Sequence, residues 1–333
     1  MRIRIFTKLQ TRAAVFVAEY VVTITSCIEA KMRILLIHNP KAGERNHDKK
    51  QLIASLIERG HKTFYQSTKK RGWKKAFDKS VDLVIAAGGD GTVRKTAWRL
   101  MDTDVPLAIL PLGTANNLAR SLGFTASPDK IMAHLGQGTV QPFDIGVARG
   151  AFGKKFFVEA AGGGLLADFV KGAEHTDDEE APKKQRIRQH VSSLRKISAQ
   201  YPPRQWNISI DGEDVSGSYL LWEAMNIRAA GPGLNLAPRA ASDDGVLDFV
   251  SVREQERTLF EKYLDAQLAG NAHPFPFPAR KVRELQIAER AGSMHFDGKV
   301  WQKKRDKRKS SGPVEISVRP AALMISGPAP MRS

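Results

Sequence analysis

The sequence predicts two lobes: an α/β lobe with a mostly parallel sheet, then a β-rich antiparallel lobe. Two observations carry that expectation. Up to about residue 140, short apolar runs alternate with segments whose apolar residues fall at helical spacing, the pattern of βαβ units. Beyond Asp144 the apolar runs become short, evenly spaced and punctuated by Gly, Pro and Asp, as in antiparallel sandwiches and barrels. The predicted divisions are 1–31, an extension of unknown role ahead of a clean start at Met32; 32–143, the α/β lobe; and 144–333, the β-rich lobe.

Within the first lobe, Arg33 to His38 reads as a buried strand that ends in Asn39-Pro40-Lys41-Ala42-Gly43. Leu52, Ile53, Leu56 and Ile57 mark one face of a helix. Lys62 to Thr68 reads as a second strand, followed by a basic turn over Lys69 to Lys75. The third strand, Val81 to Ala87, runs into Gly88-Gly89-Asp90-Gly91-Thr92, and Val93, Ala97, Leu100 and Met101 then recur at helical spacing. A strand, a glycine turn and a helix N-terminus make a ready anion site, so a phosphate is expected there. The spacing is neither the P-loop nor G-x-G-x-x-G. Val105 to Leu110 is a fourth strand, turned by Pro111 to Thr114 into a helix carrying Ala115, Leu118, Ala119 and Leu122.

In the second lobe, strands are expected near 155–160, 206–210, 219–227, 246–252, 283–287 and 314–318, with a helix through Phe260, Leu264 and Leu268. Glu174 to Pro203 reads as an insertion with a helical patch at Val191, Leu194 and Ile197, a lid or a solvated helix.

Bulk composition narrows the class. The 333 residues are 42% hydrophobic and 26% charged, as in ordinary globular proteins. A single cysteine, Cys27, excludes a disulfide framework or a cysteine-based zinc cluster and fits a reducing cytoplasm. The formal charge of +17, with a pI near 10.0, favours an anionic partner: a lipid headgroup surface, nucleic acid or a nucleotide. No stretch approaches the length of a transmembrane helix.

GGDGT resembles the nucleotide-binding motif of the diacylglycerol kinase catalytic domain superfamily, which also includes sphingosine and ceramide kinases and, more distantly, NAD kinases. Four further segments resemble bacterial lipid kinases in order: Asn39 to Gly43, with Ala42 for a serine; Pro111 to Arg120, with Asn117 for the usual Asp; Asp144-Ile145-Gly146; and Gly231 to Phe249, containing Asp244-Gly245-Val246-Leu247-Asp248. The last is the most specific, and the resemblance spans residues 32 to 328.

The resemblance implies an NAD kinase/diacylglycerol kinase-like fold and ATP- and Mg²⁺-dependent phosphorylation of a hydroxyl on a membrane lipid, diacylglycerol being the first expectation. ATP is then expected on Asn39, Pro40, Lys41, Ala42, Gly43, Thr68 (with Ser67 as a neighbouring candidate), Gly88, Gly89, Asp90, Gly91, Thr92, Val93, Arg94 and Thr114. Asp244 lies in a glycine-bearing turn where a carboxylate and main-chain oxygens of Ala241 and Val246 could hold Mg²⁺, and a simple turn aspartate is the competing reading.

Two departures stand out. Arg94-Lys95 replaces the family's Asn-Glu, cations placed against the helix dipole. Asp297-Gly298-Lys299 stands where the family has Asp-Gly-Glu, whose Glu is the general base for the acceptor hydroxyl. An ammonium cannot take a proton. The catalytic candidates are therefore Asp297, which could substitute as base if the turn re-aims it, and Lys299, which could neutralise charge on the transferring phosphoryl group. A non-catalytic nucleotide- and lipid-binding protein is the alternative function. NAD kinase is a second alternative. Lys303 to Lys309 is read as a patch for an anionic membrane surface in a cytoplasmic, peripherally associated protein; with no interleaved aromatics it does not suit single-stranded nucleic acid. A homodimer is compatible with the sequence.

Overall fold

The structure, a computed structural model, describes residues 31–43, 47–173, 181–271, 273–289, 292–301 and 312–327. The amino-terminal extension up to residue 30 and the Lys303 to Lys309 run lie outside the described residues.

The first lobe is built on β1 (Arg33–His38), α1 (Lys49–Glu58), β2 (Lys62–Ser67), β3 (Leu83–Gly88), α2 (Asp90–Leu100), β4 (Leu107–Pro111), α3 (Asn117–Ser121) and α4 (Pro128–Ala133). The four strands are parallel in the order β2-β1-β3-β4, with Leu36 opposite both Tyr65 and Ile85 and Ile85 opposite Ala108. Side-chain alternation along β1 gives each face its own core. Leu35 and Ile37 pack with Val93, Ala97 and Leu100 of α2, whereas Ile34 and Leu36 pack with Leu52 and Leu56 of α1. Because β2 and β3 flank β1 on opposite sides, the loops after β1 and β3 diverge, leaving a crevice at the strand carboxyl ends.

The second lobe follows through β5 (Thr139–Gly150), β6 (Gly153–Phe157), β7 (Ala160–Gly164), α5 (Leu165–Ala173), α6 (Lys183–Gln200), β8 (Arg204–Ile210), β9 (Glu213–Asp214), β10 (Gly217–Met225), β11 (Ala229–Ala230), β12 (Leu234–Asn235), β13 (Leu247–Arg253), α7 (Arg257–Leu268), β14 (Arg280–Val282), β15 (Glu284–Glu289), β16 (Met294–Phe296), β17 (Lys299–Trp301) and β18 (Val314–Gly327). Its pairings are antiparallel, the long β5–β18 ladder included. Trp206 and Trp222 meet edge-on, 5.4 Å apart, in the sheet's own core, while Leu194, Phe260 and Leu264 bury α6 and α7 on its other face. The α6 helix is therefore amphipathic and packed, not solvated all round.

β18 joins the lobes. Its first half pairs with β15 and β5, and Ile325 then lies parallel beside Leu107 of β4. Leu323 and Ile325 are buried in the first lobe's core. No helix among the described residues is long and apolar enough to cross a membrane.

Candidate functional site

Three loops meet at the carboxyl ends of β1, β3 and β4. Asn39 follows β1, its N–H donating to the Ala87 carbonyl at 2.9 Å while its Oδ1 accepts the Lys41 N–H at 3.2 Å. Gly43 takes φ +55°, and a Cβ there would lie 2.2 Å from the Leu112 carbonyl oxygen. A Cβ on Gly113 would lie 2.3 Å from Gly89 Cα. A Cβ on Gly89 would in turn lie 3.0 Å from Gly113 Cα, so these two glycines let the β3 and β4 loops touch. Thr68, at the end of β2, donates its N–H to the His38 carbonyl at 2.9 Å and is half-buried.

Asn116 locks the third loop. It sits in the left-handed region at φ +51°, accepts the Gly113 N–H on Oδ1 at 2.9 Å and donates Nδ2 to the Pro111 and Gly113 carbonyls, both at 3.1 Å. The Asp90 carboxylate is turned toward the same segment and accepts the Leu118 N–H on Oδ1 at 3.1 Å, capping α3. Burial raises the Asp90 pKa, and the main-chain N–H groups around Leu118 and Asn117 counter it.

The expected nucleotide residues then divide by burial. Lys41 and Pro40 are exposed, Ala42 is buried, and Val93 belongs to the core beneath the loop. Arg94 is only 5% exposed and crosses to the second lobe, where Nη1 donates to the main-chain oxygen of Asp297. Lys95 stays at the surface. Burial lowers its pKa, as do the nearby charges of Lys299, Arg94 and Lys69, so these four cations share one neighbourhood. They answer the puzzle of cations in the first turn of α2: one ties the lobes together and the other joins a basic cluster at the mouth of the crevice.

Asp297 holds a turn between β16 and β17 at φ +49°. Its carboxylate is buried and accepts the N–H groups of Val158 (2.9 and 3.0 Å), Glu159 (2.7 Å) and Ala160 (3.3 Å). That oxygen pair fastens the turn to the start of β7. Lys299, two residues on, is exposed. Behind the turn, His295 Nε2 meets Glu223 Oε1 at 2.9 Å in the sheet interior.

A cavity of about 330 Å³ lies where the lobes meet, walled by Thr114 and Asp90 on one side and by Glu159, Asp297, Arg186 and Gly231 on the other. The sequence reading missed Glu159. It is 7% exposed and accepts from Asn117 Nδ2 at 3.2 Å, and its pKa is raised well above the ordinary value by burial first, then by Asp90 and Asp297. The signal was present as one acid inside an otherwise apolar run, Phe156 to Ala161. A larger cavity of about 530 Å³, lined by Phe124, Ile131 and Gly327, contains none of the three loops.

The Asp244 turn holds an ammonium. Asp244 Oδ2 accepts from Lys281 Nζ at 2.7 Å and Oδ1 accepts the Val246 N–H at 3.2 Å. Lys281 also donates to Asp248 at 2.9 Å. Both oxygens of neighbouring Asp144 are taken by N–H groups, of Gly245 at 2.7 Å and Ala321 at 2.8 Å. Among the described residues no group of three or more His, Cys, Asp or Glu is placed to hold a metal ion. A Mg²⁺ held at Ala241, Asp244 and Val246, with waters completing its shell, would have to displace Lys281 from the Asp244 carboxylate. With its carboxylate committed to Lys281, Asp244→Asn should leave the Mg²⁺ dependence of turnover unchanged; a rise of about tenfold in the Mg²⁺ concentration for half-maximal rate would support the metal reading.

Comparison with known proteins places this geometry. The diacylglycerol kinase catalytic domain model matches residues 33–148, and the YegS C-terminal NAD kinase beta sandwich-like domain model matches 170–327. "Probable lipid kinase YegS-like" of Pseudomonas aeruginosa (strain UCBPP-PA14) is 28% identical over 89% of this chain and 94% of its own length. The protein of that name from Chromohalobacter salexigens is 30% identical over 64% of this chain and 70% of its own, and "Diacylglycerol kinase" of Bacillus subtilis is 27% identical over 80% and 89%. A solved structure from Bacillus anthracis str. Sterne, 24% identical, superposes with a TM-score of 0.70 over 91% of this chain and 98% of its own, which fixes the fold. With both lobes matched and the three loops assembled as the motif requires, the chain belongs to the lipid kinase family built on the diacylglycerol kinase catalytic domain.

Proposed function

We propose that the protein transfers the γ-phosphoryl group of ATP to a hydroxyl of a membrane lipid, with diacylglycerol as the leading acceptor class. The observation that carries this reading is the convergence of the loops after β1, β3 and β4 on a cavity that the second lobe closes with the Asp297 turn. Nucleotide on the loop side and acceptor in the cavity would place the two reactants on either side of Thr114. The work is positioning and charge neutralisation, as in phosphoryl transfer generally. Lys69, Lys95 and Lys299 repel one another until a polyanion arrives, and a triphosphate supplies that charge at the crevice mouth. Magnesium enters this reading with the nucleotide, as part of the substrate. Association with anionic membranes rests on the +17 charge and on the Lys303 to Lys309 sequence.

Lys299 favours a second reading, a nucleotide- and lipid-binding protein without turnover. One experiment separates them: incubation of the protein with γ-³²P-ATP, Mg²⁺ and a mixed bacterial lipid extract. Label in a lipid product is expected. ATP binding with no labelled lipid from any fraction would leave only the binding protein.

A further inference from the structure

The cavity holds three acids, and two of them are committed. Asp90 caps α3 through the Leu118 N–H, and Asp297 is spent on three main-chain N–H groups of β7 and its approach. Glu159 differs. Its main chain is clamped on both sides, the N–H to Asp297 Oδ1 at 2.7 Å and the carbonyl to the Asn226 N–H at 2.8 Å, so its placement is rigid. Its carboxyl is held by one side-chain amide, Asn117 Nδ2 on Oε2, and Asn117 is itself anchored to the Gly231 carbonyl at 3.1 Å.

Resting on the lipid kinase reading, we infer that Glu159 is the general base of this chain, oriented by Asn117, in place of the carboxylate that position 299 lacks. The acceptor oxygen bonds to the γ-phosphorus as the bond from that phosphorus to the bridging oxygen breaks. ADP leaves with the electron pair, and the hydroxyl proton passes to Glu159 Oε1 and later to water. Charged and titratable groups facing Glu159 are Asp90 and Arg94 from α2, Asp297 from the β16–β17 turn, and Arg186 and His190 from α6. Burial first, then the two aspartates, hold its pKa well above the ordinary carboxylate value. A raised pKa leaves the group protonated in acid, so turnover should appear as pH rises through it.

The test uses the full chain with Mg·ATP and dioleoylglycerol in detergent micelles. Glu159→Gln should lower kcat by about 10²–10⁴-fold, keep ATP affinity within about threefold, and abolish the acid limb of the pH profile; Glu159→Asp should recover part of the rate. Asn117→Asp adds a like charge beside the base and should move the acid limb upward in pH, an outcome that holds even if Glu159→Gln folds poorly. Unchanged kcat in Glu159→Gln, an acid limb that survives in it, or an unmoved limb in Asn117→Asp would each overturn the assignment. A wild-type chain inactive on every lipid would instead sink the kinase reading together with it.

Discussion

Gly113→Ala should cut kcat/KM for ATP by about a hundredfold while both lobes remain folded. The added methyl would stand 2.3 Å from Gly89 Cα and 2.7 Å from Asn116 Oδ1, and the first of these is backbone that no rotamer change can clear. The β3 and β4 loops must separate, and displacing a phosphate cradle by about 1 Å costs on the order of 10² in rate. Crowding of this kind costs only about 1–3 kcal/mol in stability, so circular dichroism should show a folded protein. Gly89→Ala meets Gly113 Cα at 3.0 Å and should be milder. Gly172→Ala, where the new Cβ meets nothing within 4 Å, is the control and should behave as wild type. Equal kcat/KM in Gly113→Ala and Gly172→Ala would show that loop contact does not set the nucleotide site.

What the sequence makes legible follows from how local each signal is. The strands β1, β3 and β4 are short, largely apolar runs with glycine at the strand end or in the loop that follows (Gly43, Gly88, Gly113), a pattern set within a dozen residues, so they and their loops can be read directly. β7 is different: Ala160-Ala161-Gly162-Gly163-Gly164 has little strand propensity and is held by β10 and β16 on either side. The long β5–β18 ladder is likewise fixed by partners about 170 residues apart, which no local period reports. The site divides the same way. GGDGT announces an anion loop, yet the direction in which Asp90 points depends on α3, and the partner of Arg94 lies 203 residues away. Asp244 shows the converse: its turn chemistry is plain in the sequence, but the ammonium that fills it comes from Lys281 on β14.

Arg94 is the residue whose loss should be felt most widely. It is 5% exposed, donates across the lobe junction to the Asp297 main chain, stacks its guanidinium 5.5 Å from the Trp98 ring centre, and counters the charge of both Asp297 and Glu159. Arg94→Met keeps much of the volume and removes the cation. Taking one member from a buried charge cluster costs roughly 3–5 kcal/mol, because the remaining charges have no counterion. The sign with pH follows from the acids: burial already raises both carboxyls, and without Arg94 they rise further. A group with a raised folded pKa contributes stability in acid and loses it as pH climbs through that pKa. The variant should therefore be closest to wild type near pH 5 and fall furthest behind near pH 8, as read from urea midpoints. Arg94→Lys should recover little, since a point ammonium lacks the fork that reaches the Asp297 carbonyl while lying on Trp98. A stability loss of the same size at both pH values would mean that Arg94 acts by packing alone, and the turn that carries Asp297 would need another anchor.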